Sequence, residues 1–363
     1  MFLTMPKLAA GLCVAALLAS AVAAHPAHAA ASTPPLALQE WLYPGPAGSV
    51  TCSAAAEYAG GRLQDGVLKP EYIDFNEQGD PYIDYASNPA YACNGYSAAN
   101  VASVKAHSRW QYMTTSLADL TSEEHLTSTE AQRRKGISFL VSFVKKIGFT
   151  GIDVDFENYW TPGWAGTDED NYYTFLTELA TAAHAQDLKV QVDGPAGSGT
   201  PFDYGTVLGD GVDQVVMMTY DEEFNSPAES TCLPISPYSW IKTMIEQGLA
   251  QIPPAEQDRF VDGLPSYGYK ATGQCQNITS NLTFRDMENA PGYSANPTVI
   301  ASRRDPSSGE IRWSDDGTFY DYCDQTAMDA KLAVVESLGV HNISVWALGG
   351  SNPWFSQQAL SGS

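Results

Sequence analysis

Eight strand-like runs, amphipathic segments between several of them, and a length suited to one large domain predict an α/β fold, a (β/α)8 TIM barrel. The runs stand at 36–43 (LALQEWLY), 71–75 (EYIDF), 109–117 (RWQYMTTSL) and 151–157 (GIDVDFE). Four more follow at 188–194 (LKVQVDG), 213–220 (DQVVMMTY), 259–268 (RFVDGLPSYG) and 342–349 (NISVWALG). Helical spacing appears where Ile137, Leu140, Val141 and Val144 recur at i, i+3, i+4 and i+7, with Gly148 as a stop. After Thr167, the residues Tyr172, Phe175, Leu176 and Leu179 form one apolar face. Asp168, Glu169 and Asp170 there read as first-turn acids facing the helix dipole. SWIKTMIEQGLA and MDAKLAVVESLG are further amphipathic segments. Residues 44–70 and 76–108 read as long, cysteine-bearing connections. Residues 269–325, rich in Gly, Pro, Ser, Asp and Asn, read as an insertion between strand seven and its helix, with a hairpin at GEIRWSDDGTFYDY.

The first 29 residues read as a signal peptide: Lys7, an apolar run from Leu8 to about Ala24, then Ala27-His28-Ala29 as a cleavage site. Residues 30–363 are then a single exported domain, and no later run is apolar enough to span a bilayer. The formal net charge of −23 argues against nucleic acid and anionic membranes as partners and suits a neutral or cationic substrate. Past the leader stand Cys52, Cys93, Cys232, Cys275 and Cys323, which allow at most two bridges. Proximity favours Cys52–Cys93. The cysteine spacings match no metal pattern, so no metal or cofactor is expected. A monomer is expected. Asn277, Asn281 and Asn342 head glycosylation sequons.

The stretch GIDVDFENYW carries the chemistry. On a strand, residues i, i+2 and i+4 share a face, so Asp153, Asp155 and Glu157 point one way and the apolar residues the other. In a barrel the acids line the interior, with Glu157 at the carboxyl end where active sites are built. Acids so close must share protons, and at least one pKa rises, as a general acid at neutral pH requires. An exposed edge strand, a Ca²⁺ loop and a purely structural network are the competing readings; the loop lacks its glycine. Asp155 and Glu157, two residues apart, cannot flank a glycosidic bond as an ordinary acid–nucleophile pair does. Strand seven offers no facing acid, since Asp262 lies before its end, and Asp221 remains as a candidate. The alternative is a nucleophile supplied by a substrate acetamide.

These residues resemble glycoside hydrolase family 18, whose signature D-G-x-D-x-D-x-E stands here as Thr150 to Glu157. DQVVMMTYDEE is similar to the family's strand-six motif, with Met218, Tyr220 and Asp221. GLPSYGY resembles its strand-seven motif, with Tyr267, and VHNISVWALGG its strand-eight motif, with Trp346. The resemblance covers most of the chain after about residue 109. It implies Glu157 as proton donor, then base, and Asp155 as holder of the acetamide N–H, with Asp153 beneath it sharing a proton. Tyr220 would bond the acetamide oxygen, Asp221 would help hold the sugar, Met218 would sit under it, and Trp346 would be its floor. Thr150 and Tyr269 depart from the family pattern, Tyr269 standing where many members have arginine. DFEN and VWALGG look closer to the cell-wall or spore-cortex-lytic branch. Trp41, Trp110, Trp160, Trp164 and Trp354 are candidate sugar platforms. Trp160 and Trp164 lead, being just past Glu157.

The expected partner is a polysaccharide or oligosaccharide: chitin or chitooligosaccharide first, peptidoglycan or N-glycan cores next. A catalytically silent lectin on the same barrel, and an enzyme using Asp221 as covalent nucleophile, are the rival readings.

Overall fold

The computed structural model describes residues 37–58, 66–197, 199–225, 232–273 and 277–350. The leader, Cys275 and Trp354 lie outside the described residues.

Eight parallel strands close into the barrel: β1 (Ala37–Leu42), β2 (Val67–Phe75), β4 (Trp110–Leu117), β5 (Gly151–Asp155), β6 (Lys189–Pro195), β7 (Gln214–Met218), β8 (Phe260–Pro265) and β13 (Asn342–Trp346). β1 pairs with both β13 and β2, which removes the open edge. A short strand β3 (Pro81–Ile83) folds back antiparallel on β2.

Strand alternation divides the apolar and polar residues. Ile152, Val154, Val190, Val192 and Val215 are fully buried and share one core with Leu140, Val144, Phe175, Leu176 and Leu179 of the surrounding helices. Full burial of each such side chain is worth about 1.5–3 kcal/mol, so this layer carries the fold. The helix Glu130–Ile147 follows the expected spacing. Thr129 caps it by accepting from Gln132 N, and Gly148 ends it in the left-handed region at φ 70°. The helix Thr167–His184 keeps its acids in the first turn, and Gly166 N donates to Glu169 Oε2.

Register aligns Thr114, Asp153 and Gln191 across β4, β5 and β6. With Lys69 and Asp193 they form a buried polar interior, beside an apolar cluster of Trp41, Val216 and Val261.

The insertion lies between β8 and the helix Gln325–Ser337. It is a four-stranded antiparallel sheet of β9 (Gly268–Thr272), β10 (Ile278–Leu282), β11 (Ile311–Asp315) and β12 (Thr318–Tyr322), in the order β10-β9-β12-β11. Met287, Ile311, Trp313, Tyr320 and Tyr322 are its own core. The expected hairpin is β11–β12, turned by Asp316-Gly317 with φ 42° and 76°, the positive values of a tight two-residue hairpin turn.

Three sequence expectations need correction. The second barrel strand begins at Val67, inside what read as a connection. The run 259–268 is two elements: β8 ends at Pro265, and β9 begins at Gly268 in the other sheet. The fourth strand stops at Asp155, so Glu157 heads the short 3-10 turn Asn158–Trp160. Cys52 and Cys93 are bridged as proximity suggested, Cys232 is also disulfide-bonded, and Cys323 is free and buried.

Candidate active site

Asp153 is wholly buried and made tolerable by three donors. Trp41 Nε1 and Thr114 Oγ1 each donate to Oδ2 at 2.9 Å, and Lys69 Nζ lies 3.4 Å from Oδ1. Lys69 is equally buried. It donates to Gln191 Oε1 at 3.0 Å, lies 3.3 Å from the Trp41 ring centroid, and stands 3.6 Å from Asp193 Oδ1. Only paired charges survive such burial. Among the described residues, Asp193 finds no donor at hydrogen-bonding distance. Its contact with Asp153 is satisfied when Asp193 holds a proton, and burial together with the Asp153 charge pushes its pKa well up. Asp193 thus stands beside Asp153 as a second fully buried acid under the site.

Asp155 lies one layer higher. Burial, then the charges of Glu157, Asp193, Asp153 and Glu71, raise its pKa well above the carboxylate range. Glu157 is exposed at the cleft, whose walls displace much of the water around it. That desolvation raises its pKa, a hydrogen bond with Asp155 pulls it back, and Asp221 raises it further. The pair thus holds a proton at pH values where free carboxylates have lost theirs. Opposite them, Tyr267 OH donates to Asp221 Oδ1, and the Tyr267 and Tyr220 rings meet edge-on at 6.2 Å. Asp221 adopts φ 70°, a left-handed conformation that aspartate tolerates better than most residues. Burial raises the Asp221 pKa, and the Tyr267 hydrogen bond opposes the rise.

A cleft of about 310 Å³ opens above these groups, lined by Glu157, Trp160, Pro195, Ala196, Met218, Tyr220, Asp221, Phe224, Asn225 and Trp240. Trp160 is 54% exposed and Phe224 58% exposed, large apolar surfaces left to water within a concave site. Such faces suit the apolar faces of sugar rings.

The geometry and the sequence converge on one family. The profile of Glycosyl hydrolases family 18 matches residues 96–350. The chain belongs to this family. It is 26% identical over 250 residues to the Cortical fragment-lytic enzyme of Bacillus subtilis, covering 63% of this chain and 53% of that protein. It is 25% identical over 229 residues to a Probable endochitinase of Caenorhabditis elegans, covering 56% of this chain and 33% of that protein. The matches thus span about half or less of these curated relatives' lengths. Among solved structures, a chitinase from Chromobacterium violaceum superposes with TM-score 0.66 at 19% identity, covering 86% of this chain and 94% of that one. The Bacillus cereus spore cortex-lytic enzyme SleL gives 0.67 at 16%, covering 90% and 72%. A chitinase-like agglutinin from Robinia pseudoacacia gives 0.60 at 17%, covering 89% and 97%.

Of the residues read from the sequence of this family 18 chain, Glu157, Trp160, Met218, Tyr220 and Asp221 line one cleft. Asp153 and Asp155 lie beneath it, and Tyr267 reaches it through Asp221. Trp346 is half-buried, edge-on to Trp41 at 5.6 Å and to Tyr43 at 5.7 Å, and its peptide bond to Ala347 is cis. Trp164 is the correction. It is 1% exposed and spends its indole N–H on Glu123 Oε1 at 2.6 Å, so it braces the loop after Glu157 and offers no face to a sugar. Trp41 is likewise internal, and Trp110 stands at the opposite end of β4 from the site. Thr150 ties the start of β5 to Gln111 through three hydrogen bonds, well below the acids. Tyr269 is buried in the inserted sheet.

Sequence reasoning missed Lys69, Asp193, Glu123 and Trp240. Asp193 shares the alternation of LKVQVDG with Gln191, and that signal was available. Glu123 is buried and accepts from Asn158 and Trp164, with its pKa pushed up to about 7 chiefly by burial. No local signal marks Glu123 or Trp240.

Proposed function

We propose that this chain is an exported, retaining hydrolase of β-1,4 bonds that follow an N-acetylglucosamine unit. Its candidate substrates are chitooligosaccharides and the glycan strands of peptidoglycan. One observation carries the reading: both proton-holding acids, Asp155 and Glu157, come from the same end of β5. The carboxylate opposite, Asp221, is drawn toward its protonated form by burial and engaged by Tyr267, which makes it a poor covalent nucleophile.

The nucleophile is then the substrate's own acetamide oxygen, attacking the anomeric carbon as Glu157 gives its proton to the departing oxygen. Asp155 Oδ1, buried and without a partner among the described residues, accepts the acetamide N–H, and the developing positive charge draws Asp155 toward its ionised form. Tyr220 steadies the acetamide oxygen, and Trp346 supplies the floor. Glu157, now a carboxylate, activates the water that opens the oxazolinium ring, so the anomeric configuration is retained.

The test is a product screen on chitooligosaccharides, peptidoglycan and glycoprotein by mass spectrometry, with the first-formed anomer read by NMR. Glu157→Gln should lower turnover ~10²–10⁴-fold while sugar binding persists. Binding by the wild type with no product from any of the three substrates would establish a lectin instead.

A further inference from the structure

Beside the acids of β5, on β2 and just beyond β3, stands a second carboxylate cluster. Glu71, Asp74 and Asp84 each place an oxygen within 4.8 Å of the other two. Among the described residues no lysine or arginine forms an ion pair with any of them. Asp84 is 2% exposed, and although Tyr91 hydrogen-bonds its side chain, its Oδ1 meets no donor among the described residues, an acceptor buried without a partner. The neighbours orient the carboxylates without supplying a counter-charge: Ser116 Oγ donates to Glu71 Oε1 at 3.1 Å and bonds Asp74 Oδ1, and Tyr82 OH donates to Asp74 Oδ2 at 3.0 Å. Supporting groups of this kind commonly fix the ligands of a metal.

We infer that Glu71, Asp74 and Asp84 form a calcium site, with Ser116 and Tyr82 holding the ligands in place. A buried oxygen in need of a positive partner is matched by any small cation, and the closure of the nest selects among them. Glu71 and Asp84 are nearly sealed from solvent, which excludes an ammonium group carried on a sugar ring and admits a bare ion. The donors are all hard oxygens, without histidine or cysteine, which disfavours zinc. Calcium accepts irregular oxygen sets at about 2.3–2.6 Å, whereas magnesium demands a near-ideal octahedron at about 2.0–2.1 Å. Water completes the shell on the side of the partly exposed Asp74. The site owes nothing to the glycosidase reading and stands or falls separately.

The experiment strips the full-length purified protein with EDTA, then titrates it with calcium chloride by calorimetry and by thermal melting. One ion per chain should bind, at ~10⁻³ M or tighter, and saturation should raise the melting temperature by a few degrees. Asp84→Asn should weaken binding at least ~10-fold, and Glu71→Gln with Asp84→Asn should abolish the response. Both changes remove repulsion, so the variants should melt no lower than wild type in EDTA, which separates lost binding from lost folding. If the double variant does not fold, Asp84→Asn alone carries the comparison. No heat and no melting shift at ~10 mM calcium would overturn the inference. So would a shift that persists undiminished in Asp84→Asn, or magnesium binding as tightly as calcium.

Discussion

The two carboxylate clusters of the barrel differ in what compensates them. Under the active site, Asp153 and Asp193 share one buried lysine, and Trp41, Thr114 and Gln191 bond the ions around it. A few ångströms round the barrel, Glu71, Asp74 and Asp84 have hydroxyl donors and no charged partner among the described residues. Even beside the lysine, burial and the Asp153 charge push the Asp193 pKa well up. In the uncompensated cluster Glu71 is pushed up to about 8, by burial and then by Asp74, and Asp84 to about 7 by the same two causes. A carboxylate can be kept buried by a counter-charge or by a proton, and this molecule does both.

Removing the counter-charge should have the largest effect. Lys69→Met takes the counter-charge from the buried Asp153 and should cost about 3–5 kcal/mol, read by denaturant unfolding. If the variant is as stable as wild type, the lysine does not hold this cluster together. Asp193→Asn is the finer probe. Where it ionises, at the alkaline end of the profile, Asp193 opposes ionisation of Asp155, so its removal should move the alkaline limb of the kcat/KM profile to lower pH. An unmoved limb would uncouple Asp193 from the catalytic pair.

The uncompensated cluster makes a prediction of the opposite kind. Glu71 and Asp84 have folded pKa values raised above their unfolded values near 4, so between those limits the folded state binds more protons. Stability in EDTA should therefore fall as pH rises from about 5 to about 8, and Glu71→Gln should flatten that slope. A slope unchanged in Glu71→Gln would place the titrating groups elsewhere.

The smallest expected effect separates the two tryptophans after Glu157. Trp164→Phe strands Glu123 and should cost about 1–3 kcal/mol of stability. Trp160→Ala, an exposed residue, should change stability by less than about 0.5 kcal/mol while raising KM for oligosaccharides. Equal stability losses in the two variants would remove the distinction.

What the sequence determined by itself is the part governed by local periodicity. The two-residue repeat of β5 places Asp153 and Asp155 on one face and sends Glu157 to the strand's end, whatever the rest of the chain does. The apolar faces of the helices Glu130–Ile147 and Thr167–His184 were legible for the same reason. So were the motif positions of Tyr220, Asp221 and Tyr267, each near a strand's end. Tertiary structure decided every partnership. Lys69 lies in a stretch that reads as a connection and acquires its role only when β2 is laid between β1 and β4. Glu71 and Asp74, three apart, should face opposite sides of a regular strand. A register shift between Glu71 and Ile73 breaks the alternation there, and the two carboxylates come together. Trp160 and Trp164 look alike in the chain, and only the position of Glu123, 41 residues before Trp164, turns one inward and leaves the other at the cleft. Alternation is a property of the backbone, so sequence shows it. A counter-charge is a property of whatever strand lies alongside, and only the closed barrel supplies that.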